Sequence, residues 1–324
     1  MTAAHAGVVF GLPTSGLQGG VYRWDAAPFV IGGNERSLDG GLRYSVSGGS
    51  LTAFRDQFSW TSVPTPAVFA AAVQSAFDAW TVVDPATGLG TALRFVFDFN
   101  STVVGVVGGG GVNSNGAEID LIATTDARFW NPGNSVTQGE TWFSGIGSPV
   151  TLTSGVANYS FSQAISGADI YLNSNPGAMY SIDLFRRLLT HEIGHAIGLG
   201  DVEGSINPGA FIDDNFSTSN PAGTLSNSWA ALVNPLDPSG SALLARYDIG
   251  GAAAAAGVNL LMESNGLGIS AANPVTNLQP LTNDEFGTRQ FLYPMLSAVP
   301  EPGTALMGLV GLMVLGRKLR KKAR

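Results

Sequence analysis

Apolar and polar positions change period several times along the chain, and each change predicts an element. Leu42, Tyr44 and Val46 alternate with Arg43 and Ser45, the period of a strand with one buried face, and Gly48-Gly49 ends the run. Thr65-Pro66 opens a helix, since proline at the first helical position gives up no hydrogen bond. Phe69, Val73, Ala76, Phe77 and Trp80 follow at helical spacing, which predicts an amphipathic helix over 66–80, closed by Asp84-Pro85 and Gly88. Residues 93–99 read as a strand with Phe95, Phe97 and Phe99 on one face. Residues 117–122 and 168–172 read as two further strands, members of one sheet rather than units of a repeat. Ser181 is placed to cap a long, mostly buried helix over 182–198. Residues 1–40 are rich in glycine and turn formers and show no strong period. The glycines at 108–111 lack the lysine and the strand-to-helix setting of a phosphate cradle, and read as a flexible turn.

Composition narrows the class. The 324 residues suffice for one large domain or two modest ones, and 44% hydrophobic content allows a full core. Charged residues are only 12%, about half the usual share, while glycine reaches 43. That mixture fits a β-rich, loop-heavy, exported protein. The net charge of −8 hides an asymmetry: Arg317, Lys318, Arg320, Lys321, Lys322 and Arg324 are six of the 16 basic residues. The remaining body carries 10 basic residues against 24 acidic ones, so no basic stripe is left for nucleic acid. The absence of cysteine excludes disulfides, thiolate-bound zinc and thiol catalysis.

The C-terminus orders three features: Pro300-Glu301-Pro302, an uncharged apolar run over 304–315, and the basic cluster. As a helix the run would be roughly 18 Å long, short of a ~30 Å hydrocarbon core, so it makes a poor permanent transmembrane helix. Its basic end would stay on the cytoplasmic side. Over residues 299–324 this order resembles the PEP-CTERM sorting signal of Gram-negative bacteria. The resemblance implies transient membrane contact, removal of the tail by an exosortase-type processing enzyme, and delivery to the cell envelope or the exterior. Export also calls for an N-terminal signal. Met1 is followed by neither a basic nor a long apolar region, while Ala4-His5-Ala6 looks like the end of a cleavage site. The expectation is a signal encoded upstream of Met1.

The strongest chemical pattern lies at the end of the last long helix. His191 and His195 are four residues apart, so their imidazoles project from one helix face, which Leu184 and Leu188 continue. Glu192 sits where it can reach water beside a metal without being a ligand itself. Two histidines and a glutamate at this spacing mark zinc hydrolases, and the intervening context argues against two merely buried histidines. The third histidine, His5, lies far away, so three imidazoles on this helix and turn are not available. Gly198 should end the helix and turn the chain back. Asp201 is then the first acidic side chain after the turn, and a carboxylate is an acceptable zinc ligand at ~2.0–2.2 Å.

The run from His191 to Asp201 resembles the metal motif of matrixin-like metzincins, with aspartate at a position usually held by histidine, as in the snapalysin variant. Residues 76–80 with the strand at 93–95 resemble the first helix and second strand of that family. Residues 167–170 resemble the strand before its active-site helix. Leu260-Leu261-Met262-Glu263-Ser264 resembles the Met-turn, and residues 281–293 the closing helix. The resemblance spans residues 41–294. It implies an α+β fold: a twisted mixed sheet, a long active-site helix, and a C-terminal subdomain containing Met262. It implies a Zn2+ site of His191, His195 and Asp201, with Glu192 as general base. It further implies hydrolysis of a protein or peptide substrate lying antiparallel to a sheet edge drawn from residues 139–161. Residues 202–258 form a long insertion, in which Asp213 and Asp214 offer oxygen ligands for Ca2+, against the simpler reading of a solvated acidic turn. Two rivals stand beside this reading. One is a non-catalytic envelope or biofilm-matrix protein that keeps the metal fold, which the intact Glu192 argues against. The other is a zinc hydrolase with a glutamate ligand on a later helix, which Gly198 and Asp201 argue against.

Overall fold

The computed structural model describes residues 9–10, 21–83, 90–101, 103, 112, 116–126, 138–153, 162–201, 261–262, 281 and 283–293. Within them the chain builds a mixed α and β fold with a mostly parallel sheet and few helices. In chain order the elements are β1 (Tyr22–Arg23), β2 (Val30–Ile31), β3 (Asn34–Glu35), β4 (Leu42–Val46), α1 (Leu51–Arg55), β5 (Ser59–Trp60) and α2 (Pro66–Asp78). They continue as β6 (Phe95–Phe97), β7 (Ile119–Thr124), β8 (Gly139–Pro149), β9 (Gln163–Asn173), β10 (Met179–Tyr180), α3 (Ile182–Ala196) and α4 (Asn283–Leu292).

The main sheet runs β9-β7-β4-β6, all parallel, with β1 also parallel to the start of β9. The other side of β9 is taken along almost its whole length by β8, the single antiparallel member. Among the described residues β8 is thus an edge strand, within the 139–161 stretch expected to supply one. The expected strands at 42–46, 117–122 and 168–172 all appear. The last two are direct neighbours, with Ile119 opposite Ala168. Strand β9 is longer than expected and buried on both faces, as parallel sheet interiors usually are.

Leu42, Tyr44, Val46, Ile119, Leu121, Ile170 and Leu172 turn toward the two long helices. Helix α2 begins as expected, with Thr65 accepting the Val68 N–H and Pro66 in its first turn. It buries Phe69, Val73, Ala76 and Phe77, the last stacked 3.9 Å from Tyr44. After Asp78 the chain tightens into a 3-10 turn over Ala79–Thr81, which brings Trp80 fully inside. Ser181 caps α3 by accepting the Leu184 N–H at 3.1 Å. Its face of Phe185, Leu188, Leu189 and Ile193 closes the core, and losing one such leucine typically costs ~2–5 kcal/mol.

Two expectations need correction. The strand expected over 93–99 is only three residues long, and Phe99 is 70% exposed. Asp98 ends it by accepting the Asn100 and Ser101 N–H groups on its side chain, a local turn that competes with the ladder. The helix expected to reach 198 ends at Ala196. Residues 21–38, which show no period, are nonetheless built into the core: Trp24, Arg23 and Arg36 are all buried. The Arg23 guanidinium donates to the Phe291 and Leu292 carbonyls at 3.0 and 3.1 Å, capping α4.

The sheet face away from the helices carries a buried polar row. Ser45, Asp120 and Asp169 stand at matching register on β4, β7 and β9. The Ser45 hydroxyl bonds Asp120 Oδ1, while Oδ2 is buried with no hydrogen-bond partner among the described residues. Burial pushes the Asp120 carboxyl up to about 6, against the opposing pull of Ser45 and Arg36. A raised carboxyl binds more protons folded than unfolded, so its destabilisation grows as pH rises from near 4 through about 6. Asp120→Asn should therefore stabilise the protein above pH 7, on the order of 2 kcal/mol, and change little at pH 4. Thermal unfolding of both forms across that range checks it. An equal or negative effect at both ends would refute it.

Candidate metal centre

Helix α3 presents His191 and His195 one turn apart at its C-terminal end, both buried, with ring planes at 87°. Each ring is held from behind. His191 Nδ1 lies 2.7 Å from the Leu261 carbonyl oxygen, and His195 Nδ1 lies 2.9 Å from that of Leu199. A carbonyl can only accept, so each Nδ1 carries the hydrogen, and each neutral ring is left with a lone pair on Nε2.

Those two Nε2 atoms are 3.1 Å apart. Asp201 Oδ1 lies 3.2 Å from the first and 3.1 Å from the second. Three lone pairs thus converge on one point, and no other donor among the described residues reaches the buried Oδ1. A tetrahedral ion with bonds of ~2.0–2.1 Å would hold its ligand atoms ~3.3 Å apart, within a few tenths of an ångström of this triangle. His191, His195 and Asp201 could therefore hold a metal ion.

The local fold explains why Asp201 arrives. Ile197 and Gly198 end the helix, and Gly198 takes φ +102°, where a side chain would be strained. A Cβ there would also collide with the Tyr22 carbonyl. The carbonyls left open at the helix end are all satisfied. Trp24 Nε1 donates to Ala196 at 3.0 Å, the Tyr293 hydroxyl to Ile197 at 2.6 Å, and the Phe10 N–H to Gly198 at 2.9 Å.

Met262 lies under the histidines. Any side chain at Gly194, between them in sequence, would run into the Met262 sulfur and Trp80. The Met262 N–H donates to Glu285 on α4 at 3.1 Å, and the preceding carbonyl, of Leu261, anchors His191. Glu192 is buried beneath β8. The Thr141 hydroxyl bonds its Oε2 at 2.7 Å, and Gly139 leaves the room its other oxygen fills. Burial raises the Glu192 carboxyl, while His191, His195 and the Thr141 bond pull it down, with a net upward shift.

The structure therefore brings His191, His195, Asp201, Glu192 and Met262 together. Asp213 and Asp214, offered for calcium, and Pro300, Glu301 and Pro302 of the sorting signal lie outside the described residues, as do the insertion at 202–258 and the apolar tail. No helix among the described residues is long and apolar enough to cross a membrane. Reading the chain by periodicity passes over Gly139, Thr141, Trp24 and Tyr293, because contacts across such separations leave no local signal. No protein-family model matches this chain, and no curated protein matches its sequence.

Without an ion, protons take its place. Burial alone would lower His195, but the Asp201 carboxylate outweighs it and lifts the ring to about 9. Asp201 itself, despite burial, is held far below the usual carboxylate range by His195 and His191. A raised histidine gives stability that is full below its ordinary value near 6.5 and lost as pH rises through about 9. Metal binding needs the neutral ring, so its stabilisation runs the other way. Chelator-treated protein should lose thermal stability from pH 6.5 to 9, and metal-loaded protein should not. Parallel slopes would refute this site. Asp201→Ala should weaken metal binding by more than the ~10–100-fold typical of losing an outer-shell partner, measured by chelator competition.

Proposed function

We propose that the chain is an exported zinc-dependent endopeptidase. The observation that carries this reading is a metal-ligand triad with a buried carboxylate, Glu192, beside it but not in it. A site that only stabilises a fold has no use for such a group. Zinc suits two imidazoles and a carboxylate, and when bound it supplies Lewis acidity that polarises a peptide carbonyl and acidifies water. Glu192 takes the proton from that water and returns it to the leaving amine. Its raised carboxyl, nearer neutrality than an exposed glutamate, suits both halves of that exchange.

The edge strand supports a peptide as substrate. Among the described residues nothing pairs with the outer side of β8, whose inner neighbour is β9. An extended peptide laid antiparallel on that edge would gain backbone hydrogen bonds. Its carbonyl would pass near Glu192, since Gly139 and Thr141 of β8 already touch that side chain. The matrixin-like resemblance of the motif agrees with this arrangement. Export, passage to the envelope and trimming of the tail by an exosortase-type enzyme rest on the order of features over 299–324.

Glu192→Gln should keep metal affinity within ~3-fold and lower kcat/KM on a peptide-library substrate by ~10²–10⁴. Zinc content and hydrolysis, measured on the same preparations, check both halves. Metal-loaded wild type that cleaves no peptide in the library would sink the endopeptidase reading.

A further inference from the structure

The turn that delivers Asp201 is short of internal support. Its amides are tied to the helix, with Gly198 N–H bonded to His195 and Leu199 N–H to Gly194, each at 2.9 Å. On the carbonyl side, Leu199 accepts from His195 Nδ1. Beyond α3, the backbone of residues 198–201 bonds to one other segment among the described residues: Phe10 donates its N–H to the Gly198 carbonyl at 2.9 Å. Val9 forms an antiparallel bridge with Leu199, two residues before Asp201.

Phe10 is in turn fastened to the sheet. Its carbonyl accepts the Tyr22 N–H at 2.9 Å, and Tyr22 pairs with Gln163 on β9. Backbone bonds therefore run from the sheet through β1 and Phe10 to the turn carrying the third ligand. The Phe10 ring adds a second contact. It sits 5.6 Å from the His195 ring and 5.1 Å from that of Phe143 on β8, which itself lies 5.2 Å from Tyr22. One residue thus braces a ligand ring and bonds the turn that presents another ligand.

We propose that Phe10 is a positioning residue for the metal, and that residues 9–10 act as a strap setting where Asp201 stands relative to His191 and His195. The proposal rests on the metal reading of the site. Its reasoning is geometric: a five-residue path from the helix end must place Oδ1 to within a few tenths of an ångström. A glycine-containing turn does not reach that precision unless something outside it fixes the backbone. The strap supplies that fixing through one carbonyl, one bridge and one ring.

The test uses the full chain as wild type, Phe10→Ala and Phe10→Leu. Zn2+ affinity is measured by chelator competition, and the visible spectrum of the Co2+-loaded protein reports ligand geometry. Phe10→Ala should weaken Zn2+ binding ~10-fold, the lower end for an outer-shell loss, and change the Co2+ band shape. Phe10→Leu, which restores bulk against His195, should recover most of both. If the alanine variant does not fold, Phe10→Val carries the same comparison. A variant that loses only metal-free thermal stability, with affinity and Co2+ spectrum unchanged, overturns the strap and leaves the metal site standing. Wild type that binds neither ion overturns the metal reading and the strap with it.

Discussion

Three lone pairs aimed at one point govern this structure. The Nε2 atoms of His191 and His195 and Oδ1 of Asp201 stand 3.1–3.2 Å from one another. Lone pairs facing one another at that distance repel unless a cation or shared protons lie between them. Each must therefore be held by something else, and the surroundings read as a set of restraints. Leu261 and Leu199 fix the two rings by their Nδ1 hydrogens, while Trp24, Tyr293 and Phe10 hold the end of the helix. These restraints come from both ends of the described chain. The site is thus the point where the N-terminal stretch, the sheet, α3 and α4 meet.

That convergence explains the shape of the sheet. Strand β9, buried on both faces, is the axis of the sheet on which α3 packs. One side of β9 takes β7 and β1, and the other takes β8 in the opposite direction. Among the described residues the reversal leaves an edge beside the helix. It also sets Gly139 and Thr141 directly on Glu192. A bulkier residue at 139 would displace the carboxylate, so the glycine is needed for space rather than for an unusual backbone angle.

Much of this was legible in the residues. The period-two and helical patterns located β4, α2, β7, β9 and α3 because one face of each is strongly apolar. The cap residues Thr65 and Ser181 fixed the helix starts. The grouping that could hold a metal ion was legible because His191 and His195 share a helix face, and Gly198 forces the turn that precedes Asp201. What escaped has physical reasons. Strands β1, β2, β3, β5 and β10 are two residues long and cannot show a period. Residues 21–38 bury two arginines, Arg23 and Arg36, which a hydropathy pattern assigns to the surface. Phe99 looked like the third member of a buried face, but Asp98 turns the chain before it. The restraints around the site join distant residues: Leu261 lies 70 positions from His191, Tyr293 lies 96 from Ile197, and Trp24 lies 172 from Ala196.

The charge of the site argues for the valence of its occupant. Glu192 and Asp201 are two carboxylates packed with two imidazoles, Glu192 buried and Asp201 half-buried, and unpaired charge at the buried group is costly. With no ion between them, the carboxylate of Asp201 pushes both histidines up and the histidines hold Asp201 down, which favours a shared proton. A divalent cation balances both carboxylates with both rings neutral, bringing the four groups and the ion to zero net charge. A monovalent ion would leave one negative charge buried, and a trivalent one would leave an excess of positive charge. The same balance would let Glu192 stay ionised against the upward push of burial on its carboxyl. The balance that would make an ion's burial tolerable is therefore also the one that supports the role proposed for Glu192.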